Sequence, residues 1–220
     1  MKALVIAGGS INLDFVKRYI NQNEYDILIA CDKGLETIDV LGISADLIVG
    51  DFDSVDNALI KRYETDPKTA ETVMRFKPEK DYTDSHLSVE RAIKMGADCI
   101  DILGATGNRL DHVFGVIAVM NMALKKGISV NIIDDNNKIV MTDSVITIQK
   151  KNQFGKYLSV IPYGGNAKGV TIKGAKYEVT DIDLNCDESL GVSNEIKDDV
   201  VTISVKEGTL LIMESDCVIE

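Results

Sequence analysis

Over roughly the first 135 residues, short apolar runs alternate with amphipathic stretches. The runs are ALVIA at 3–7, ILIA at 27–30, DLIVG at 46–50, CIDIL at 99–103 and VNIID at 130–134. Each is brief, aliphatic and closed by Gly, Asp or Asn, the pattern of strands buried on both faces. Within 85–96, Val89, Ala92 and Ile93 share one helical face. Within 108–125, Val113, Val116, Ile117, Met120 and Leu124 follow the i, i+3, i+4, i+7, i+11 rule. A further helix is expected over 55–64, with Ser54 as its cap. This alternation predicts βαβ units, giving a mainly parallel sheet with helices on both faces.

Near residue 138 the pattern changes. VITIQ (145–149), YLSVI (157–161), VTI (170–172), VVTISV (200–205) and TLLIM (209–213) are separated by YGGN, KGA, DES and EG, which read as turns. Short strands at this spacing predict an antiparallel sandwich or barrel. The chain therefore divides into an α/β domain over 1–135 and an all-β sandwich over 136–220, with no Gly/Ser or Pro linker between them.

Composition narrows the function classes. The 220 residues are 45% hydrophobic and hold only three prolines, which excludes a mainly disordered chain. With Lys+Arg 24 against Asp+Glu 35, the formal charge is −11, so the footprint of a duplex-binding protein is missing and no nucleic-acid partner is expected. No apolar run reaches membrane-spanning length, and MKALVIAGGS reads as a first strand rather than a signal peptide. Four scattered cysteines without a CxxC, and only two histidines, argue against a zinc site and for free thiols in the cytoplasm.

Three polar clusters stand at strand ends, where α/β sheets bind ligands. In GDFDS, Asp51 and Asp53 alternate along an extended segment and face one way, a platform of hard oxygens suited to Mg²⁺; the plain alternative is a polar turn. In KDYTD, Thr83 caps the next helix with Asp84 in its first turn, which leaves Lys80 and Asp81 unexplained by structure alone. A lysine among carboxylates suits a metal-bound polyphosphate. In GATGNRLDH, glycines allow close backbone approach and the helix start is an anion site. Thr106, Arg109, Asp111 and His112 crowd that same loop, with Arg109 offering a guanidinium fork to phosphate. AGGS at 7–10 is a weaker phosphate candidate, and no P-loop motif is present. CDKG puts Asp32 on the same sheet edge, while Asp134 and Asp135 read as a solvated turn. Carboxylates gathered at Asp32, Asp51, Asp53, Asp81 and Asp84 do not all stay ionised without a cation. The expected ligand is Mg²⁺ with a nucleoside triphosphate.

These motifs, in this order and spacing, resemble the thiamine pyrophosphokinase family over nearly the whole chain. The resemblance rests on Asp32–Gly34, GDFDS at 50–54, KDYTD at 80–84, GATGNRLDH at 104–112, GAKYEV at 174–179 and LGVSNE at 190–195. It implies a homodimer with active sites at the subunit interface, built from a nucleotide-binding catalytic α/β domain and a thiamine-binding β-sandwich. The implied reaction is ATP + thiamine → AMP + thiamine diphosphate. It further implies Asp51, Asp53 and Asp84 as the Mg²⁺ carboxylates, with Asp32 and Asp81 completing the acidic site. Arg109 would steady the transferred group. Tyr177 would stack on thiamine, with Ser193 and Asn194 as polar contacts. Lys80, Thr83, Thr106, Asp111 and His112 fall on the nucleotide side.

The chain departs from the family pattern at Lys33 and Asn108, where glycine is usual, at His86 in place of Glu, and at Tyr177 in place of Trp. Two other readings exist. In a haloacid-dehalogenase-like phosphatase, Asp51 would be the nucleophile and Asp53 the acid, with Thr106, Lys125 and Asp134 or Asp135 in later motifs. That leaves Arg109–His112 and the β domain without a role. A non-catalytic nucleotide or thiamine sensor on the same scaffold should have lost metal carboxylates, and none is lost.

Overall fold

A computed structural model describes residues 1–77 and 81–216. The chain forms two compact units, Met1–Asp135 and a second that begins at Asn136. The first is a sheet with helices; the second is β-rich.

In the first unit, β1 (Lys2–Ile6), β2 (Ile27–Cys31), β3 (Leu47–Gly50), β4 (Val73–Arg75), β5 (Cys99–Leu103) and β6 (Ser129–Ile133) pair in the order β4-β3-β2-β1-β5-β6. Every pairing among them is parallel. Their side chains account for the burial pattern: Leu4, Ile6, Ile29, Ile48, Ile100, Ile102 and Ile132 are all closed to solvent. Succession runs outward from β1 to β4, then returns to β5 on the other side of β1. That reversal puts a topological switch point between β1 and β5, where a crevice opens beyond the carboxyl ends of the strands.

The helices are α1 (Leu13–Gln22), α2 (Gly34–Leu41), α3 (Asn57–Thr65), α4 (Asp84–Lys94) and α5 (Leu110–Leu124). α2 packs on α1, β1 and β2, whereas α4 packs on α5 and on β1, β2 and β3. Thr83 caps α4 by accepting from His86 N, as its sequence position predicts. Ser54 does not cap α3. Asp56 does, accepting from Ala58 N and Leu59 N at 2.7 and 3.0 Å, a contact worth about 1 kcal/mol. The helix starts two residues later than expected, which leaves Ser54 Oγ free to reach another loop.

The second unit contains β7 (Asn137–Thr142), β8 (Val145–Gln149), β9 (Tyr157–Lys173), β10 (Val179–Leu184), β11 (Asn194–Glu195), β12 (Val200–Ser204) and β13 (Glu207–Ser215). The pairings among these strands are antiparallel. YGGN at 163–166 is no turn between two strands: β9 runs straight through it. Thr209 faces Tyr163 but Glu207 faces Lys168, so β9 carries extra residues there. Gly164, at φ 75°, takes the left-handed step that lets the strand bend. The first part of β9 then pairs with β13 and the latter part with β10 and β12. Leu158, Val160, Val170, Ile172, Val201, Ile203, Leu210 and Ile212 close one hydrophobic core across these strands.

Candidate active site

A cleft of about 710 Å³ opens at the carboxyl edge of the parallel sheet, a size suited to a small ligand. Five consecutive loops contribute. β1 leads into Gly8–Ser10, β2 into Asp32 and Lys33, and β3 into Asp51, Asp53 and Ser54. The start of α4 brings Thr83, Asp84 and Ser85. β5 leads into Gly104–Arg109, with His112 from α5. The cleft therefore straddles the switch point.

Its glycine side is close-packed backbone. Gly9 N donates to Gly104 O and Ser10 N to Thr106 O, both at 2.8 Å. A Cβ on Gly9 would lie 2.3 Å from Thr106 O and 2.4 Å from Gly104 O, so no other residue fits between the two loops. This joins AGGS to GATGN as one surface, with the N-terminus of α5 opening from it. Backbone N–H groups at a helix start favour anions.

Its acidic side is a carboxylate cluster. Oxygen atoms of Asp32, Asp51 and Asp53 lie within 4.8 Å of one another. Two residues of this cluster's loops hold left-handed backbones that side chains rarely adopt, Asp32 at φ 52° and Phe52 at φ 61°. Strain of this kind persists where surroundings over-determine it. Phe52 is buried, and the Arg75 guanidinium stacks over its ring at 5.0 Å. Arg75 Nη1 also donates to Asp51 O at 2.8 Å, while Glu64 holds the rest of the fork. Arg75 was not singled out from the sequence; only its place at the end of β4, beside β3, reveals that it fixes GDFDS.

Burial raises the Asp32 carboxyl above its ordinary range. The Ser54 hydrogen bond opposes that, and the charges of Asp84, Asp51 and Asp53 add to it. Ser54 Oγ donates to Asp32 Oδ2 at 2.8 Å, and among the described residues Asp32 Oδ1 is buried with no hydrogen-bond donor. A hard divalent cation fits that arrangement, since it satisfies the orphaned oxygen and removes the mutual repulsion. The neighbouring Cys31 is not a competing soft ligand, because burial pushes its thiol up to about 12 and keeps it protonated.

The remaining expected residues divide. Asp84 lines the cleft but lies outside the three-carboxylate cluster, so the closest set contains Asp32 where the resemblance puts Asp84. Thr83, Thr106, Arg109 and His112 line the cleft; Asp81 and Asp111 do not. Asp81 stands exposed before the cap of α4. Asp111 turns back onto Arg109, accepting from Nη2 at 2.6 Å and Nε at 3.3 Å, which holds its carboxyl below the ordinary range. Lys80 lies outside the described residues. His86 stacks on Tyr82 at 4.3 Å between ring centroids, which gives it a packing role.

In the second unit, Tyr177 is 63% exposed, with Lys176 Nζ 5.5 Å from its ring centroid. Glu195 pairs with that lysine at 2.9 Å. Ser193 is exposed at φ 63°, its N–H bonded to Ser159 Oγ. Asn194 is 7% exposed and turns inward to the backbone of Tyr177 rather than outward as a polar contact.

Glycine loops and a carboxylate cluster facing each other across a switch point define an α/β protein equipped to hold an anionic ligand together with a cation. Comparison with known proteins makes this specific. The family described as "Thiamin pyrophosphokinase, catalytic domain" matches residues 17–132, and "Thiamin pyrophosphokinase, vitamin B1 binding domain" matches 143–210. The thiamine pyrophosphokinase of Bacillus subtilis (strain 168) is 31% identical over 212 residues, covering 96% of this chain and 97% of that protein. The crystal structure of thiamine pyrophosphokinase from Bacillus subtilis superposes with a TM-score of 0.86 at 29% identity, covering 99% of this chain and 100% of that one. That from Geobacillus thermodenitrificans gives 0.84 at 25% identity, covering 100% and 99%. The chain belongs to the thiamin pyrophosphokinase family, a family of diphosphotransferases that form thiamine diphosphate.

Proposed function

We propose that the first unit binds Mg²⁺-ATP, that the second binds thiamine, and that the residues named above carry the pyrophosphoryl transfer from ATP to thiamine. The observation that supports this most is the cluster of Asp32, Asp51 and Asp53 with its buried, unpartnered oxygen, facing a glycine-loop surface in one cleft.

Bound Mg²⁺ supplies charge neutralisation to the phosphate oxygens. Asp51 and Asp53 hold it, with Asp32 beside them and Asp84 facing them from the start of α4. The N–H groups of the glycine loops and of the first turn of α5 receive phosphate oxygens. Thr83, Thr106 and His112 line the nucleotide side, and the resemblance implies Lys80 and Asp111 on that side as well. Arg109 leaves Asp111 for the transferred group when substrate enters, exchanging one anion for a more highly charged one. The thiamine hydroxyl oxygen bonds to the β-phosphorus of ATP. Its proton passes to Asp84, which takes this role over the exposed Asp81. The bond from the β-phosphorus to the α–β bridging oxygen breaks, and AMP departs with that oxygen. Tyr177 offers an aromatic face to the thiazolium cation, and Ser193 a neighbouring hydroxyl.

Three finer assignments belong to this reading. The helices lie on both faces of the parallel sheet, and the β-rich unit is a sandwich closed by the bend in β9. The protein is a homodimer: Leu110 and Phe114, one turn apart on α5, are 67% and 68% exposed, an apolar stripe of the kind a second copy covers. It works in the cytoplasm, consistent with the free thiols of Cys31, Cys99 and Cys186; no described helix is long and apolar enough to cross a membrane.

Product analysis with ATP and Mg²⁺, with and without thiamine, tests the reading. AMP and thiamine diphosphate in equal amounts, formed only with thiamine, support it. Phosphate release without thiamine points to the phosphatase alternative, and ligand binding without turnover to the sensor.

A further inference from the structure

We propose that Lys33 contacts the phosphate chain of the bound nucleotide, an inference that rests on the cleft being an Mg²⁺-ATP site. Along the carboxyl edge of the sheet, β3, β2, β1 and β5 are neighbours in that order. Asp51 and Asp53 follow β3, while the glycine loops follow β1 and β5. Lys33 follows β2, between the two groups. A polyphosphate reaching from the glycine N–H groups to the metal carboxylates therefore passes Lys33.

The lysine is held there by its stem. A Cβ on Gly8 would lie only 2.8 Å from Lys33 Cβ, so the first glycine loop and the lysine stem are in close contact. The ammonium is uncommitted: among the described residues, no hydrogen bond or ion pair engages Lys33 Nζ. Lys168, Lys176 and Lys206 are, by contrast, each paired with a carboxylate within 3 Å. Arg109, also lining the cleft, is engaged by Asp111. Lys33 lines the same cleft as Asp32, Asp51, Asp53 and Asp84, and among the described residues no ion pair joins it to any of them. The carboxylates of Asp32, Asp51 and Asp53 converge on one another instead. Bound Mg²⁺ offsets only part of the triphosphate charge, and a compact ammonium on a flexible stem suits the remainder.

Calorimetric titration of a non-hydrolysable ATP analogue with Mg²⁺ tests this on the wild type, Lys33→Met and Lys33→Arg, with adenosine titrated in parallel. A charge-assisted hydrogen bond lost from a partly exposed site predicts about tenfold weaker analogue binding for Lys33→Met. Lys33→Arg should bind near the wild-type level, and adenosine should bind all three alike. KM for ATP should rise in Lys33→Met while KM for thiamine stays put. Analogue binding by Lys33→Met within twofold of wild type overturns the proposal, as does an equal loss for adenosine. Analogue binding by a wild type that forms no AMP with thiamine overturns the reaction assigned above, while the comparison of Lys33 variants stands. No analogue binding by the wild type overturns both.

Discussion

The side-chain amide of Asn194 forms a two-way hydrogen-bonded pair with the backbone of Tyr177: Oδ1 accepts from Tyr177 N at 3.0 Å, and Nδ2 donates to Tyr177 O at 2.8 Å. Oδ1 also accepts from Glu195 N at 2.9 Å. Asn194 thus positions the tyrosine. Asn194→Ala takes this partner from the part-buried N–H and C=O of Tyr177 and the N–H of Glu195, at a cost of about 1 kcal/mol. Thiamine KM should rise several-fold, in line with that cost, with ATP KM unchanged. Steady-state kinetics alongside thermal melting checks this. A lower melting temperature with unchanged thiamine KM would reduce Asn194 to a purely structural residue.

Ser54 connects the β2 and β3 loops through Asp32. Its hydrogen bond lowers the Asp32 pKa against burial, so Ser54→Ala should raise that pKa further. More protons then compete with the cation at a given pH. The acid limb of the rate profile should move to higher pH, and half-maximal activity should need several-fold more Mg²⁺. For stability the sign is opposite to that of a salt-bridged carboxylate. The folded pKa lies above the unfolded one, so the contribution of Asp32 is full below about 3.9 and is lost as pH rises through the folded value. Metal-free Asp32→Asn should therefore melt higher than wild type at pH 7, with no gain near pH 3, while losing activity. Calorimetry at both pH values decides.

A second buried carboxylate has a different task. Asp101, on β5, is 2% exposed and accepts from Tyr25 OH at 2.7 Å, Tyr19 OH at 3.2 Å and Asn131 Nδ2 at 2.7 Å. Lys2 Nζ stands 3.0 Å away. Tyr19 comes from α1, Tyr25 from the loop before β2, Lys2 from β1 and Asn131 from β6, and none of them lines the cleft. Asp101→Ala takes the acceptor from both phenols and from Asn131 and leaves Lys2 only Asn23 Oδ1 and the Tyr25 ring, and should cost about 3 kcal/mol in urea unfolding. Burial first, then the Asp101 charge, raises both phenol pKa values. Their contribution is full below the ordinary phenol value of about 10 and fades as pH climbs beyond it. Replacing both tyrosines with Phe should flatten the alkaline limb of the stability profile.

The strands and motifs of the first unit were legible because each β-run is buried on both faces and ends in a polar loop. The parallel sheet then gathers those loops on one edge. The β-rich unit was legible in kind but not in connection. Gly164 and Gly165 look like a turn in sequence, yet β13 continues pairing past them, so long-range registry overrides the local signal. Ser54 was misassigned for a related reason. Asp56 and Ser54 are both competent caps, and only the position of Asp32 decides which side chain is needed elsewhere. CDKG shows that Asp32 ends a strand on the ligand edge, but its closeness to Asp51 and Asp53 needed the fold, since those two stand on the β3 loop. LGVSNE, where the resemblance implies a substrate contact, does not show that the Asn194 amide bonds the backbone of Tyr177.

The most direct test of the whole account is the rate of thiamine diphosphate formation by Asp51→Asn, measured with saturating ATP, thiamine and Mg²⁺ on protein whose melting temperature is at or above wild type. Loss of one electrostatic stabiliser at the reacting phosphate predicts a fall of about 10²-fold or more, with ATP analogue binding that no longer responds to Mg²⁺. A rate within threefold of wild type, with Mg²⁺ dependence intact, would contradict the assignment of this cluster as the catalytic metal site.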